Sequence, residues 1–98
     1  MAQRITERDL NGVCKTLNKV TGNPETPFTR DEAGKHSANI GNYHIDSAYG
    51  GYKLVQMVNT GGGIRTITSG YITKRELYYQ IHSYMDGILE GMEATKIA

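Results

Sequence analysis

Residues 59–76 carry the groups that proteins use to bind an anion. The segment opens on three consecutive glycines, whose backbone amides a ligand can approach closely because glycine has no side chain. It closes on a predicted helix start, where Lys74 and Arg75 occupy the first turn although the helix dipole favours acidic side chains there. A bound phosphate would make those cations favourable, and Arg65 could add a bidentate contact. We therefore predict a phosphate site formed by Gly61, Gly62, Gly63, Arg65, Lys74 and Arg75.

Both halves of this predicted site also have an explanation that involves no ligand. Hairpin turns use glycine mainly because they need a positive φ angle, which glycine adopts without strain. Lys74 and Arg75 could equally be a solvated surface pair. The sequence leaves the two explanations open.

Tyrosine is the dominant aromatic residue, with seven copies against one phenylalanine and no tryptophan. Three of them, Tyr49, Tyr52 and Tyr71, stand at the edges of glycine-rich turns. A tyrosine ring offers a flat stacking surface with a hydrogen-bonding tip, at a low cost in conformational entropy. We predict that these three rings stack on a ligand, and the alternative is that they only pack within the fold.

Catalytic and metal-binding patterns are weak in this chain. His44 and Asp46 lie two residues apart on a predicted strand and so share one face, where they could act as a base and its partner or as two metal ligands. No nucleophile motif and no third ligand at a suitable spacing accompany them. Cys14 lies on the apolar stripe of a helix and is expected to be a small core residue. We expect no enzyme activity, no metal and no cofactor.

Length and composition restrict the class of protein. The 98 residues are enough for one domain, residues 1–98, and the net charge of +1 disfavours a polybasic role. A single cysteine cannot form an intramolecular disulfide. No apolar run reaches the roughly 18 residues of a membrane helix, and no signal-peptide core is present. We expect a cytoplasmic protein without a membrane partner.

Two helices are predicted at the ends of the chain. The first begins at the N-cap Thr6 and stops at Gly22. The second begins at a capping box formed by Thr73 and Glu76, and carries an apolar stripe from Leu77 to Met92. We expect its last residues, 93–98, to fray.

The middle of the chain predicts three strands. A long connection, residues 21–37, shows no periodic pattern and is predicted to be a loop. Extended runs follow at residues 38–46, 52–59 and 64–69, and glycine-rich turns at 47–51 and 60–63 join them. The order is therefore α-β-β-β-α. We predict an α+β domain, with a three-stranded antiparallel meander and both helices on one face.

The second predicted strand is apolar on both sides. Leu54 and Val58 point to one face, while Val55 and Met57 point to the other. A sheet that is apolar on both faces in so short a chain indicates a homo-oligomer or a bound partner. The alternative is that Val55 and Met57 are scattered surface residues, which are common.

Five short motifs stand out along the chain. They are Ala38-Asn39-Ile40-Gly41-Asn42-Tyr43-His44, Tyr49-Gly50-Gly51, Met57-Val58-Asn59, Gly61-Gly62-Gly63 and Lys74-Arg75-Glu76-Leu77. These motifs resemble small accessory proteins of unassigned activity encoded by tailed bacteriophages, and the resemblance covers about Leu17 to Tyr84. It implies a protein that counters host defence by binding in the host cytoplasm. Some such antagonists are oligomers that sequester nucleotide second messengers, so we expect a nucleotide as the ligand.

Two other functions remain open from the sequence. The α-β-β-β-α order with basic residues at the start of the second helix resembles double-stranded RNA-binding domains, in which that helix start meets phosphates. The second helix lacks the alanine-rich, lysine-studded character of that family, and the total charge is low for a duplex binder. A protein–protein inhibitor that docks on a host factor through its tyrosines and its sheet needs no anion at all.

Overall fold

The computed structural model describes residues 4–97 and confirms the α+β class. Within these residues, five strands lie between two helices along the chain. The elements are α1 (Glu7–Thr21), β1 (Phe28–Arg30), β2 (His36–Ala38), β3 (Tyr43–Ala48), β4 (Gly51–Met57), β5 (Ile64–Thr66) and α2 (Lys74–Ile97).

Local capping signals define both helices. Thr6 caps α1, and its hydroxyl accepts from the Asp9 amide while the Asp9 carboxylate accepts from the Thr6 amide, as a capping box does. Gly22 ends α1 in the left-handed conformation at φ 72°. Thr73 and Glu76 form the predicted capping box of α2. None of the helices in the described part of the chain is both long and apolar enough to cross a membrane.

The predicted meander is present as the antiparallel sheet β3-β4-β5. Both helices pack on one face of it, α1 against β3 and α2 against β4, and they also contact each other. The core lies between the helices and this face. Its buried residues are Leu10, Val13, Cys14, Leu17, Tyr43, Leu54, Leu77, Ile81 and Met85.

The prediction of a long loop over residues 21–37 is wrong in its second half. That segment contributes β1 and most of β2, which pair with each other in a separate two-stranded sheet. Asp31 stabilises the turn between them with two hydrogen bonds. Its side-chain carboxylate accepts one from the Lys35 amide, and its backbone carbonyl accepts one from the Gly34 amide. The side chains of β1 are all exposed, so no alternation of apolar and polar residues marks the strand.

The predicted strand over residues 38–46 is divided in two. Ala38 ends β2, and a β-turn over residues 39–42 separates it from β3. The turn is closed by a hydrogen bond of 3.1 Å from the Asn42 amide to the Asn39 carbonyl, and Gly41 supplies its positive φ of 95°. The chain therefore leaves the small sheet at Asn39 and enters the larger one at Tyr43.

The turn between β3 and β4 is tighter than predicted. β3 ends at Ala48 and β4 begins at Gly51, so Tyr49 and Gly50 form a two-residue turn. Both turn residues have positive φ, 54° for Tyr49 and 74° for Gly50. This is the type I′ geometry, whose twist matches that of the flanking strands.

The apolar residues on the second face of β4 are covered within the single chain. Val55 and Met57 are 0% and 3% exposed, whereas Val58 is exposed. This face therefore gives no support to self-association, which stays a prediction. On α2 the predicted apolar stripe is buried only in its first half, because Leu89 and Met92 are exposed. α2 extends to Ile97, and the fraying of residues 93–98 stays a prediction.

Candidate functional site

The β3–β4 turn holds an aromatic ring almost entirely in water. The Tyr49 side chain is 95% exposed, and its backbone is the only non-glycine in positive φ among the described residues. For a residue with a Cβ this conformation costs about 1–2 kcal/mol. The ring touches Tyr71 in an edge-to-face arrangement, with 5.5 Å between the ring centroids. Strain of this kind concentrates at functional sites, where the rest of the fold maintains it.

Tyr71 organises the groups around Tyr49. Its hydroxyl donates a 2.6 Å hydrogen bond to Asp46 Oδ2, and the Lys53 ammonium lies 4.6 Å from its ring centroid. Asp46 and Lys53 face each other across β3 and β4. The hydrogen bond to Asp46 raises the pKa of Tyr71, so the phenol stays protonated at neutral pH. We name Asp46, Tyr49, Lys53 and Tyr71 the hairpin-end cluster.

Gly51 permits this arrangement. A Cβ at position 51 would stand 2.9 Å from Tyr71 Cβ and 3.0 Å from the Tyr71 carbonyl carbon, both too close. The Tyr71 backbone therefore crosses directly over the start of β4. This close approach gives Gly51 a packing role.

The start of α2 lies at the same end of the sheet. Tyr52 and Ile72 exchange two backbone hydrogen bonds of 2.9 Å, which attach the segment before α2 to the start of β4. The Lys74 ammonium lies 5.8 Å from the Tyr52 ring centroid, and the Tyr52 hydroxyl donates to Glu7. Tyr52 shares the helix-packed face of the sheet with Leu54, whereas Lys53 lies on the other face. The cations of Lys53 and Lys74 thus flank one end of the sheet, one on each face.

The triple-glycine turn lies at the other end of β4. It follows Met57, which pairs with Ile64, whereas the start of α2 is attached at Tyr52. These points are five residue steps apart along β4, a distance of roughly 17 Å. The structure therefore does not bring Gly61, Gly62 and Gly63 together with Lys74 and Arg75. The predicted phosphate site is divided between two ends of the molecule.

The groups of the glycine turn are already engaged within the chain. Asn59 Oδ1 accepts hydrogen bonds from the amides of Gly61 and Gly63, at 3.0 and 2.9 Å. The guanidinium of Arg65 donates twice to Gln56 Oε1, at 2.9 and 2.7 Å. A ligand that binds the Gly61 and Gly63 amides would have to replace their bonds to Asn59, whereas contacts with Tyr49, Lys53 and Lys74 require no such exchange.

His44 and Asp46 share the face of β3 on which the hairpin-end cluster lies, yet they act with different partners. His44 Nδ1 lies 3.1 Å from Asn42 Oδ1, and Asn42 donates its amide to the Pro24 carbonyl. We therefore assign the Nδ1-protonated tautomer to His44. Asp46 binds Tyr71 instead. Across residues 4–92, no group of three or more histidine, cysteine or acidic side chains could hold a metal ion.

Cys14 is a core residue, as predicted. Its side chain is 5% exposed and its thiol donates to the Tyr43 carbonyl at 3.2 Å. Burial raises the pKa of the thiol to about 12, so the reactive thiolate is absent at neutral pH.

Burial gives His44 a pH-dependent contribution to stability. Desolvation lowers the pKa of His44 below its ordinary value of 6.5, and the charge of Asp46 opposes this only in part. The folded state therefore binds fewer protons than the unfolded state, and the free energy of unfolding falls as the pH drops below about 6.5. Urea unfolding between about pH 5 and pH 8 should show a shallower decrease for His44→Gln than for the wild type. His36→Gln, at an exposed position, is the control, and equal slopes for wild type and His44→Gln would contradict the prediction.

Sequence reasoning missed Lys53 and the role of Asp46 at this site. Their proximity to Tyr71 depends on the register Asp46–Lys53, which follows from the two-residue turn at Tyr49 and Gly50. A two-residue turn at Tyr49 and Gly50 would have identified them, because counting outward from that turn pairs Asp46 with Lys53. The charged residues in these strands also alternate with apolar ones. The predicted five-residue turn obscured that count.

Comparisons of the chain with protein-family models, with curated proteins and with solved structures give no match.

Proposed function

We propose that this chain is a binding protein without enzyme activity, and that it captures a small phosphate-bearing nucleotide at the hairpin-end cluster. The observation that carries the proposal is Tyr49, a tyrosine ring held 95% exposed by a left-handed backbone. A type I′ turn favours asparagine or glycine over a bulky residue, because both central residues need a positive φ. The turn itself gives no reason for a tyrosine, whereas a stacking partner does.

The chemistry around Tyr49 suits a nucleobase linked to phosphate. Every base has a π face that can stack on an exposed aromatic ring, and such stacking contributes about 1–3 kcal/mol per base. Lys53 lies beside the ring pair and supplies a cation for phosphate. Asp46 is a hydrogen-bond acceptor on the same face, suited to an amino group or a ribose hydroxyl of the ligand. Lys74 adds a positive charge at the same end of the sheet, on its helix-packed face, and Arg75 follows it in the first turn of α2.

The resemblance to small bacteriophage proteins supplies the biological context of the proposal. On that basis the nucleotide is a second messenger of a host defence system, and the chain sequesters it in the host cytoplasm. A protein that sequesters a ligand must bind it tightly and be present in enough copies, but it does not have to catalyse a reaction. This agrees with a site that consists of aromatic rings, cations and one carboxylate.

Duplex RNA is the second candidate, and one observation favours it. The β3–β4 turn and the start of α2 lie at the same end of a three-stranded meander whose helices pack on one face. That arrangement resembles the elements with which double-stranded RNA-binding domains meet a duplex. The net charge of +1 opposes strong duplex binding. A steep decrease of affinity with salt would identify this function, because each phosphate contacted adds to the slope.

A thermal-shift panel tests the proposal directly. It would contain mono-, di- and cyclic nucleotides, NAD-derived compounds, and short duplex RNA and DNA. A ligand at one hundred times its dissociation constant adds about 2.7 kcal/mol, which raises the melting temperature of a domain of this size by about 10 °C or more. We expect one small nucleotide to give such a shift, and a flat panel would refute the proposal.

Two charge variants distinguish a direct contact between Lys53 and the nucleotide from a general effect of the protein's net charge. Lys53→Gln should weaken binding of that nucleotide by about tenfold, because it removes a charge-assisted hydrogen bond. Lys35→Gln changes the net charge equally at an exposed position in the β1–β2 turn and should leave the affinity unchanged. Equal losses in both variants would show that the nucleotide responds only to overall charge.

A further inference from the structure

The outer edge of β3 presents backbone groups for pairing with another strand. Residues in an antiparallel pair point their N–H and C=O groups alternately toward the partner and away from it. Ala48 and Gly51 close the two-residue turn, and the Met57 amide donates to the Asn42 carbonyl at 2.9 Å. Even-numbered residues of β3 therefore bond to β4. The backbone groups of Tyr43, Ile45 and Ser47 point outward.

The outward groups of Tyr43 are already satisfied by α1. Asn18 Nδ2 donates to the Tyr43 carbonyl at 2.9 Å, and Asn18 Oδ1 accepts from the Tyr43 amide at 2.8 Å. Ile45 and Ser47 have no such partner. Within residues 4–92, no hydrogen bond engages their amides or their carbonyls on this edge.

A groove runs beside this edge, between α1 and β3. It consists of a cavity of about 490 Å³ near Tyr43 and one of about 130 Å³ near Ser47. Side chains of α1 line one side and β3 lines the other. The lining includes Leu10, Asn11 and Cys14 from α1 and Tyr43, Ile45 and Ser47 from β3, and Glu25 and Thr26 also line the larger cavity. A groove bounded by a helix and a free strand edge suits an extended peptide that adds one strand to the sheet.

We propose that the β3 edge binds an extended peptide in antiparallel pairing, with a basic residue of the peptide opposite Asp46. Peptide residues that bond to Ile45 and Ser47 would point their side chains into the groove. An apolar residue suits the position opposite Ile45, where the larger cavity is mainly apolar. A small apolar residue opposite Ser47 can contact Leu10 and the Tyr52 ring. The residue between them would lie opposite Asp46 on the other face, where a lysine or arginine finds an opposite charge. This proposal does not depend on nucleotide binding.

A second copy of the chain fits this edge poorly. Pairing that bonds Ile45 to Ser47 of the second copy would place the two Asp46 carboxylates directly opposite each other, which is destabilising. Pairing centred on Ile45 would place Ser47 of one copy opposite Tyr43 of the other. The backbone amide and carbonyl of Tyr43 already bond to Asn18, so they could not bond to Ser47. Charge and hydrogen bonding therefore favour a basic peptide over self-pairing.

The test uses three capped pentapeptides and NMR of the ¹⁵N-labelled chain. The probe is Lys-Val-Lys-Val-Lys, one control carries glutamate in place of lysine, and the other carries N-methyl groups on its valines. We expect the probe at millimolar concentration to give saturable shifts and slowed hydrogen exchange at the Ile45 and Ser47 amides. The glutamate peptide should bind at least about fivefold more weakly. The N-methylated peptide should not affect these amides.

Several results would overturn the proposal. They are an absence of saturable shifts at Ile45 and Ser47, equal binding of the lysine and glutamate peptides, and binding that survives N-methylation. Protection of the same amides that grows with protein concentration, without peptide, would assign the edge to a second copy instead. Asp46→Asn should reduce the preference for lysine over glutamate, and an unchanged preference would count against the pairing described here.

Discussion

Asn18→Leu is expected to lower the free energy of unfolding by about 2–4 kcal/mol, out of the 5–15 kcal/mol that is usual for a domain. The Asn18 side chain is 2% exposed and bonds to both the amide and the carbonyl of Tyr43. Leucine has a similar volume but leaves the buried Tyr43 amide without a partner. The carbonyl keeps only the weak thiol donor of Cys14.

The measurement is urea unfolding of the variant beside Asn11→Leu. Asn11 lies on the same helix at an exposed position, so the same chemical change there should alter stability by no more than about 0.5 kcal/mol. Hydrogen exchange at the Tyr43 amide should accelerate only in the Asn18 variant. Similar stability of the two variants would show that the hydrogen bonds from Asn18 to the β3 edge do not contribute to the stability of the fold.

Tyr49→Asn should separate stability from binding. Asparagine adopts the left-handed conformation more readily than tyrosine and is favoured before glycine in a type I′ turn. The variant should therefore be as stable as the wild type or up to about 1 kcal/mol more stable. Because it loses the stacking ring, its affinity for the nucleotide found in the panel should fall roughly 5- to 100-fold. Chemical denaturation and isothermal titration calorimetry measure the two quantities.

Tyr79→Asn is the matched control for this variant. Tyr79 is also an exposed tyrosine, but it lies on α2 and outside the hairpin-end cluster. Asparagine is a poorer helix former than tyrosine or equal to it, so this change should be neutral or slightly destabilising, and it should leave the affinity unchanged. Retained affinity in Tyr49→Asn would remove the observation on which the proposed function rests.

The elements with local signals could be predicted from the sequence. Thr6, Gly22 and the pair Thr73–Glu76 mark helix ends through contacts within four residues, and all of them are confirmed. The meander followed from extended runs separated by glycine-rich turns. The β1–β2 hairpin could not be predicted, because its strands have three residues each and are mostly exposed. Without a buried face they carry no periodic pattern.

The candidate site was only partly predictable, because closeness in sequence did not mean closeness in space. The chain from Gly63 to Ile72 runs back along the whole of β4, which carries the glycine turn away from Lys74. The three predicted tyrosines do lie at one end of the sheet. However, Tyr52 faces the helices while Tyr49 and Tyr71 lie together on the other side. Faces and registers are set by pairing across strands, which no short window of sequence records.

An NMR titration of the ¹⁵N-labelled chain with the nucleotide that gives the largest thermal shift tests whether that nucleotide binds at the hairpin-end cluster. Binding at this cluster predicts saturable shifts centred on the amides of Tyr49, Gly50, Lys53 and Tyr71, with weaker ones at Lys74. Shifts confined to Gly61, Gly62, Gly63 and Arg65 would place the ligand at the opposite end of β4 and contradict it, and so would a titration without saturable shifts.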